Sequence, residues 1–258
     1  MLNPPGVAKA ARILAERRRS GVQAERLPED CRPADLDSAL AIQSEVTRDL
    51  GASIGGWKCL QPPPDRLVVA PIHHQDIHRE APVSVWAPEG HARIEPELAF
   101  VLGRDLPARA EPYTQEEVDE AVAHTHLVLE LIHSRYSDPA AAEFPEMLAD
   151  GLLNQGLFVG PEVDPDMARE ASELTITLST RSAAPEVHQG RHPNTHPRAP
   201  LYWLVNFLRE RGEGIKAGEF VITGSYAGVL EAPLEEPVRV LFGELGELSV
   251  SFKARIQS

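Results

Sequence analysis

The 258-residue sequence predicts an α+β fold with a largely antiparallel or mixed sheet core. Beyond Gly51 the chain breaks into short apolar runs punctuated by Gly and Pro, and the clearest of these alternates with period two. Helical spacing is confined to the segment before Gly51 and to two later stretches. No internal repeat is visible. The length gives a prior of one to two domains at ~150 residues each, and the change in composition divides the chain into a helical cap, residues 1–55, and a β-rich domain, residues 56–258.

The first helix is expected from about Val7 to Arg19, stopped by Gly21, and the second from about Ala34 to Leu50. Asp35 stands near the start of the second, Gly51 follows its end, and Leu36, Leu40, Ile42 and Val46 share a face. Arg17-Arg18-Arg19 could mark a transit peptide, but Glu16 and the lack of a following long apolar run favour a surface helix. Val68 to Ile72 reads as a short strand after the stiff Pro62-Pro63-Pro64. Ile94 to Leu102 is the alternating strand, with Ile94, Leu98, Phe100 and Leu102 on one face and Glu95 and Glu97 on the other. Pro96 cannot donate to a ladder, which marks this end as an edge or a strand start. A helix over Gln115 to Ala123 and a buried strand over Leu127 to Ile132 follow, then a strand over Thr175 to Leu178. A helix over Pro200 to Arg211 is marked by Pro in its first turn and Gly212 after its end. Phe220 to Thr223, Val238 to Phe242 and Leu248 to Ala254 complete the strands.

Hydrophobic residues make up 42% and charged residues 25%, which suits a packed core rather than disorder. The net charge, 25 − 39 = −14, argues against a nucleic-acid or anionic-membrane surface and is compatible with cation binding. No apolar stretch approaches the ~18 residues that span a bilayer. Cys31 and Cys59 lie far apart with no CxxC spacing, so neither a disulfide framework nor a Cys-based zinc site is expected. A reduced, cytoplasmic protein is the expectation.

Three glutamates in apolar settings carry the chemical signal. Glu95 and Glu97 share a strand face, their α-carbons ~7 Å apart, close enough for both side chains to meet one cation. Glu130 lies inside Leu127-Val128-Leu129-Glu130-Leu131-Ile132, where a charge is costly unless paired or bound to metal. Three oxygen ligands suit Mg²⁺ or Mn²⁺. The same pattern also fits a solvent-facing strand with Glu130 paired to an arginine. The histidines at 73, 74 and 78, and at 188, 192 and 196, lack helical zinc spacing and read as surface or loop residues. Gly224-Ser225-Tyr226-Ala227-Gly228 has its glycines misplaced for a hydrolase elbow, Gly55-Gly56 lacks the full dinucleotide fingerprint, and Lys58 alone suits either an anion contact or a solvated surface.

Ile94-Glu95-Pro96-Glu97-Leu98-Ala99-Phe100 followed by Gly103-Arg104-Asp105-Leu106 resembles the metal strand of the fumarylacetoacetate hydrolase superfamily. The chain more closely resembles the branch of 2-keto-4-pentenoate hydratases and 4-oxalocrotonate decarboxylases. Gly56-Trp57-Lys58, Glu130-Leu131-Ile132 with Ser134-Arg135, Ala149-Asp150 with Asn154, His196-Pro197 and Thr223-Gly224-Ser225 carry the likeness in order. It implies a fumarylacetoacetase C-terminal-like β-roll behind the helical cap, with Mg²⁺ or Mn²⁺ on Glu95, Glu97 and Glu130. It further implies a small 2-oxo acid or dienol substrate, Lys58 and Asp65 as catalytic residues, and Asp150, His196 and Ser225 as substrate contacts. The expected reaction adds water to a 2-hydroxy-2,4-dienoate to give a 4-hydroxy-2-oxo acid. Alternatives are decarboxylation of a 2-oxo-3-enedioate, acylpyruvate-type C–C hydrolysis, or an inactive assembly partner. A homo-oligomer with neither nucleic-acid nor membrane partners is expected. The segment after Lys58, Cys59-Leu60-Gln61-Pro62-Pro63-Pro64, departs from the family's Gly-x-Thr/Ser and shortens the lid; His133 and Val229 are further departures.

Overall fold

The structure, a computed structural model, describes residues 5–63 and 66–256. Two helices open it, α1 (Pro5–Ser20) and α2 (Leu36–Asp49). Asp35 caps α2 by accepting from the Ser38 N–H, while the Ser38 side chain returns a bond to the Asp35 backbone. Leu40, Ile42 and Val46 are buried, as their spacing requires. The same face carries Gln43, whose side-chain amide donates to the carbonyls of Val69 and Leu148 and so fixes the helix over the sheet.

The strands are β1 (Ile54–Cys59), β2 (Val69–His73), β3 (Ile77–His78), β4 (Val83–Val85), β5 (His91–Leu102), β6 (Val122–Ile132) and β7 (Asn154–Glu162), then β8 (Glu173–Ser179), β9 (Glu186–Arg191), β10 (Phe220–Ile222), β11 (Leu230–Pro233), β12 (Pro237–Phe242) and β13 (Glu247–Ala254). Between them lie α3 (Gln115–Asp119), α4 (Phe144–Ala149), α5 (Pro165–Glu170) and α6 (Ala199–Glu210). The larger sheet runs β2-β1-β10-β5-β6-β7-β3 with β11 also on β5, and the smaller runs β4-β13-β12-β8-β9. Pairing is mostly antiparallel; β1 with β10, β3 with β7 and β4 with β13 are parallel. The larger sheet curls until β2 approaches β7. One of its faces carries a small apolar cluster that includes Ile72, Ala99, Val128, Leu157 and Ile222. The main core holds the helices against the rest of the sheet system.

Three sequence expectations change. The helix expected over Gln115 to Ala123 stops at Asp119, because Val122 already pairs with Leu102 and the sheet captures the chain five residues before Leu127. Pro96 lies inside the sheet rather than at an edge. Beside it β10 pairs with Ala99 to Val101 and β11 with His91 to Ile94, so its missing N–H faces the gap between those two strands. His73 and His192 are buried rather than exposed, at 3% and 2%. Strands β1, β3, β4, β7, β9 and β11 were not anticipated.

Candidate metal centre

The register of β5 against β6 sets Glu95 directly opposite Glu130, with Glu97 opposite Val128. Because alternate residues share a face, all three glutamates project to the side of the small apolar cluster. One carboxylate oxygen from each of Glu95, Glu97 and Glu130 lies within 4.8 Å of the others. Glu97 and Glu130 are 2% and 0% exposed, so no solvated strand face exists here.

The neighbours of this cluster come from three separate stretches. On β1, Lys58 Nζ donates to Glu130 Oε1 at 2.7 Å and to the Leu152 carbonyl at 3.1 Å. At the start of β7, Asn154 Nδ2 donates to the same Glu130 oxygen at 2.8 Å. The Gly224 N–H, just past β10, donates to Glu97 Oε2 at 2.6 Å. The carbonyl that receives Lys58 sits in a turn with Gly151, Leu152 and Leu153 at φ 75°, 52° and 68°. Two consecutive leucines in left-handed backbone are costly, about 1 kcal/mol each, and such strain persists where surrounding contacts dictate it.

Burial, then the charge of Glu130, pushes the Glu95 carboxyl up to about 7. Glu97 is pushed well above the carboxylate range by burial first, then by Glu130 and Glu95. Burial pulls the Lys58 ammonium down, but Glu130, Glu95 and Glu97 together outweigh it and hold its pKa above the ordinary 10.5. When all three are ionised, one ammonium faces three carboxylates. Among the described residues, the buried Glu130 Oε2 has no hydrogen-bond partner. Three converging carboxylates, one with an orphaned oxygen, fit a hard divalent cation, which would satisfy that acceptor and relieve the repulsion.

The remaining sequence candidates are Asp65, Asp150, His196 and Ser225. Asp65 falls outside the described residues. Asp150 is occupied by Arg135, whose Nε approaches Oδ1 at 2.5 Å with both side chains almost fully buried. His196 is exposed in the loop before α6. Ser225 Oγ donates to the Gly228 carbonyl at 3.1 Å inside its own turn. Asn154, the Leu152 carbonyl and the Gly224 N–H were not anticipated as parts of the cluster. The last two are backbone groups that side-chain identity does not reveal, whereas Asn154 does stand in a segment that carries the family likeness.

A model of the fumarylacetoacetate hydrolase C-terminal family matches residues 60–255. The chain belongs to this family. Its curated relatives include a 4-oxalocrotonate decarboxylase from Pseudomonas sp., 27% identical over 65% of this chain and 66% of its own length. Another is a 2-keto-4-pentenoate hydratase from Paraburkholderia xenovorans (strain LB400), 28% identical over 52% of this chain and 48% of its own. The chain thus spans between about half and just under two thirds of the length of these relatives. Among solved structures, a 4-oxalocrotonate decarboxylase from Pseudomonas putida G7, complexed with magnesium and adipate, superposes with a TM-score of 0.79 and 19% identity over 98% of this chain and 99% of that one. A second structure of that enzyme is complexed with calcium and acetate. These likenesses give this family member the mixed α+β fold expected for it. Among the described residues no helix is long and apolar enough to cross a membrane.

Proposed function

We propose that this chain is a divalent-metal-dependent hydratase that adds water to a 2-hydroxy-2,4-dienoate to give a 4-hydroxy-2-oxo acid, with Glu95, Glu97 and Glu130 holding Mg²⁺ or Mn²⁺. The observation that carries the reading is the convergence of these three carboxylates around the buried, unpartnered Glu130 Oε2. When bound, the cation supplies Lewis-acid polarisation to the 2-oxygen of a 2-oxo acid or its enol.

The chain's own residues prepare that chemistry. Lys58 and Asn154 both donate to Glu130 Oε1 and so fix the carboxylate that would otherwise be free to turn. The Gly224 N–H fixes Glu97 in the same way. A protonated lysine has three N–H donors, and Lys58 directs two of them at Glu130 and Leu152, leaving the third for an incoming substrate anion. The apolar cluster on the same sheet face excludes water from one side of the glutamates. In this reading Asp65 is the acid/base that moves the proton between dienol and ketone, the role the family resemblance implies for it. Asp150 anchors Arg135 and does not meet substrate.

Decarboxylation of a 2-oxo-3-enedioate is the second reading. It is favoured by the match to the Pseudomonas putida G7 decarboxylase over 98% of this chain, and it needs the same stabilisation of enolate charge. Purified protein with Mg²⁺ and 2-hydroxypenta-2,4-dienoate separates the two. Loss of dienol absorbance with 4-hydroxy-2-oxopentanoate appearing by NMR supports the hydratase. Faster release of carbon dioxide from a 2-oxo-3-enedioate makes the chain a decarboxylase. Cleavage of an acylpyruvate alone refutes both, and failure of all three substrates with metal bound leaves the inactive partner.

A further inference from the structure

The arginine triplet of α1 stands beside a second cluster of charge, separate from the three glutamates. A cavity of about 350 Å³ is lined by Arg18, Arg19, Arg135 and Arg255, with Trp86 and His133 among its walls. Asp76 is the one carboxylate in that lining. Arg135 is neutralised by Asp150 and the half-exposed Arg19 has Glu16 at 3.8 Å, which leaves Arg18 and Arg255 beside Asp76 in a chain whose net charge is −14.

The surplus is not dispersed into solvent. Arg18 donates to the Asn154 carbonyl at 2.9 Å and Arg255 lies over the Trp86 ring at 5.2 Å, so neither meets a carboxylate in an ion pair among the described residues. Trp86 is itself fixed, its indole N–H donating to the Arg18 carbonyl and its backbone N–H to the Gln155 side chain. Arg19 donates to the Asp49 carbonyl at the rim. His133 is 3% exposed and its Nε2 has no hydrogen-bond partner among the described residues. Burial first, then Arg135, pulls Arg18 down to about 10, and the same two causes pull His133 down to about 3. Both groups are costly to charge where they stand, first because they are buried and then because other guanidiniums are near.

We propose that this cavity is a binding site for a small dianion, a phosphate or a dicarboxylate, held by Arg18 and Arg255 with Arg19 at the rim. Guanidinium forks suit both oxyanion shapes, and two guanidiniums, those of Arg18 and Arg255, offer one fork to each charged end or face of a doubly charged ligand. The volume of about 350 Å³ takes a molecule of that size. Nothing in this proposal depends on the metal or on the reaction assigned above.

The test is calorimetric titration of the metal-stripped full chain with inorganic phosphate and, separately, succinate, each against chloride at matched ionic strength. One of the two should bind, and which one binds identifies the source of the anion. Loss of one charge-assisted contact should weaken binding by about tenfold in Arg255→Ala and in Arg18→Gln. Glu97→Gln should bind like the wild type, which separates this cavity from the metal centre. Arg255→Ala sits at a strand end and guards against a folding defect in Arg18→Gln, with circular dichroism checking both. Absence of heat with both anions overturns the proposal, as does binding that survives both arginine substitutions unchanged.

Discussion

Glu95 makes the metal-free centre measurable through pH. In the folded chain its carboxyl titrates near 7, against an ordinary value of 4.5. An unfolded chain releases this proton near the ordinary value, so between the two values the folded state binds more protons than the unfolded one. Stability contributed by the protonated group is therefore complete below the ordinary value and is lost as pH rises through about 7. At 1.36 kcal/mol for each pH unit between those values, the loss reaches about 3 kcal/mol, an upper bound because Glu95 shares its proton with its neighbours. Urea unfolding in EDTA should then give a wild type weaker by about 1–3 kcal/mol at pH ~8 than at pH ~5. Glu95→Gln, which has no proton to lose, should flatten most of that slope. Mg²⁺ should restore stability at the higher pH, by about 2.7 kcal/mol when its concentration is about a hundred times the dissociation constant. It should do little at the lower pH, where protons occupy the carboxylates. A metal-free wild type whose pH slope matches that of Glu95→Gln would show that the carboxylates do not repel one another, and the metal centre would lose its electrostatic basis.

Lys58→Met should lower turnover of whichever 2-oxo substrate is accepted by about 100-fold or more while Mg²⁺ binding persists by calorimetry, because lysine is not a ligand for a hard cation. If metal binding disappears with the lysine, its role is to build the centre. Asn154→Leu removes a donor from Glu130 Oε1 and should weaken Mg²⁺ binding by about tenfold; unchanged affinity would show that Lys58 alone holds the carboxylate. Arg135→Met leaves Asp150 buried without its partner and should destabilise the fold by about 3–5 kcal/mol in urea unfolding at neutral pH. A loss below about 1 kcal/mol would mean that Asp150 finds water or another donor.

The three glutamates were legible because they violate a pattern. Glu130 interrupts an apolar run, and Glu95 with Glu97 occupies a face of a strand whose other face is buried. What sequence could not supply was the register that sets Glu95 opposite Glu130, since pairing is a tertiary choice. Two of the strands that escaped notice, β1 and β7, share a physical cause. Strand β1 contains Gly55-Gly56, which weakens any strand signal, yet a Cβ at Gly56 would lie 2.5 Å from the Phe220 carbonyl oxygen. Strand β7 repeats the situation at Gly160, where a Cβ would meet Leu248 at 2.4 Å and the Leu127 carbonyl at 2.9 Å. Close approach of neighbouring chains demands glycine at the positions where propensity argues against a strand. The consequence reaches the site. It is β1 that brings Lys58 to Glu130, and β7 that brings Asn154 to the same oxygen. The carboxylates are visible as local anomalies, whereas the groups that orient them ride on strands which only the packed fold makes intelligible.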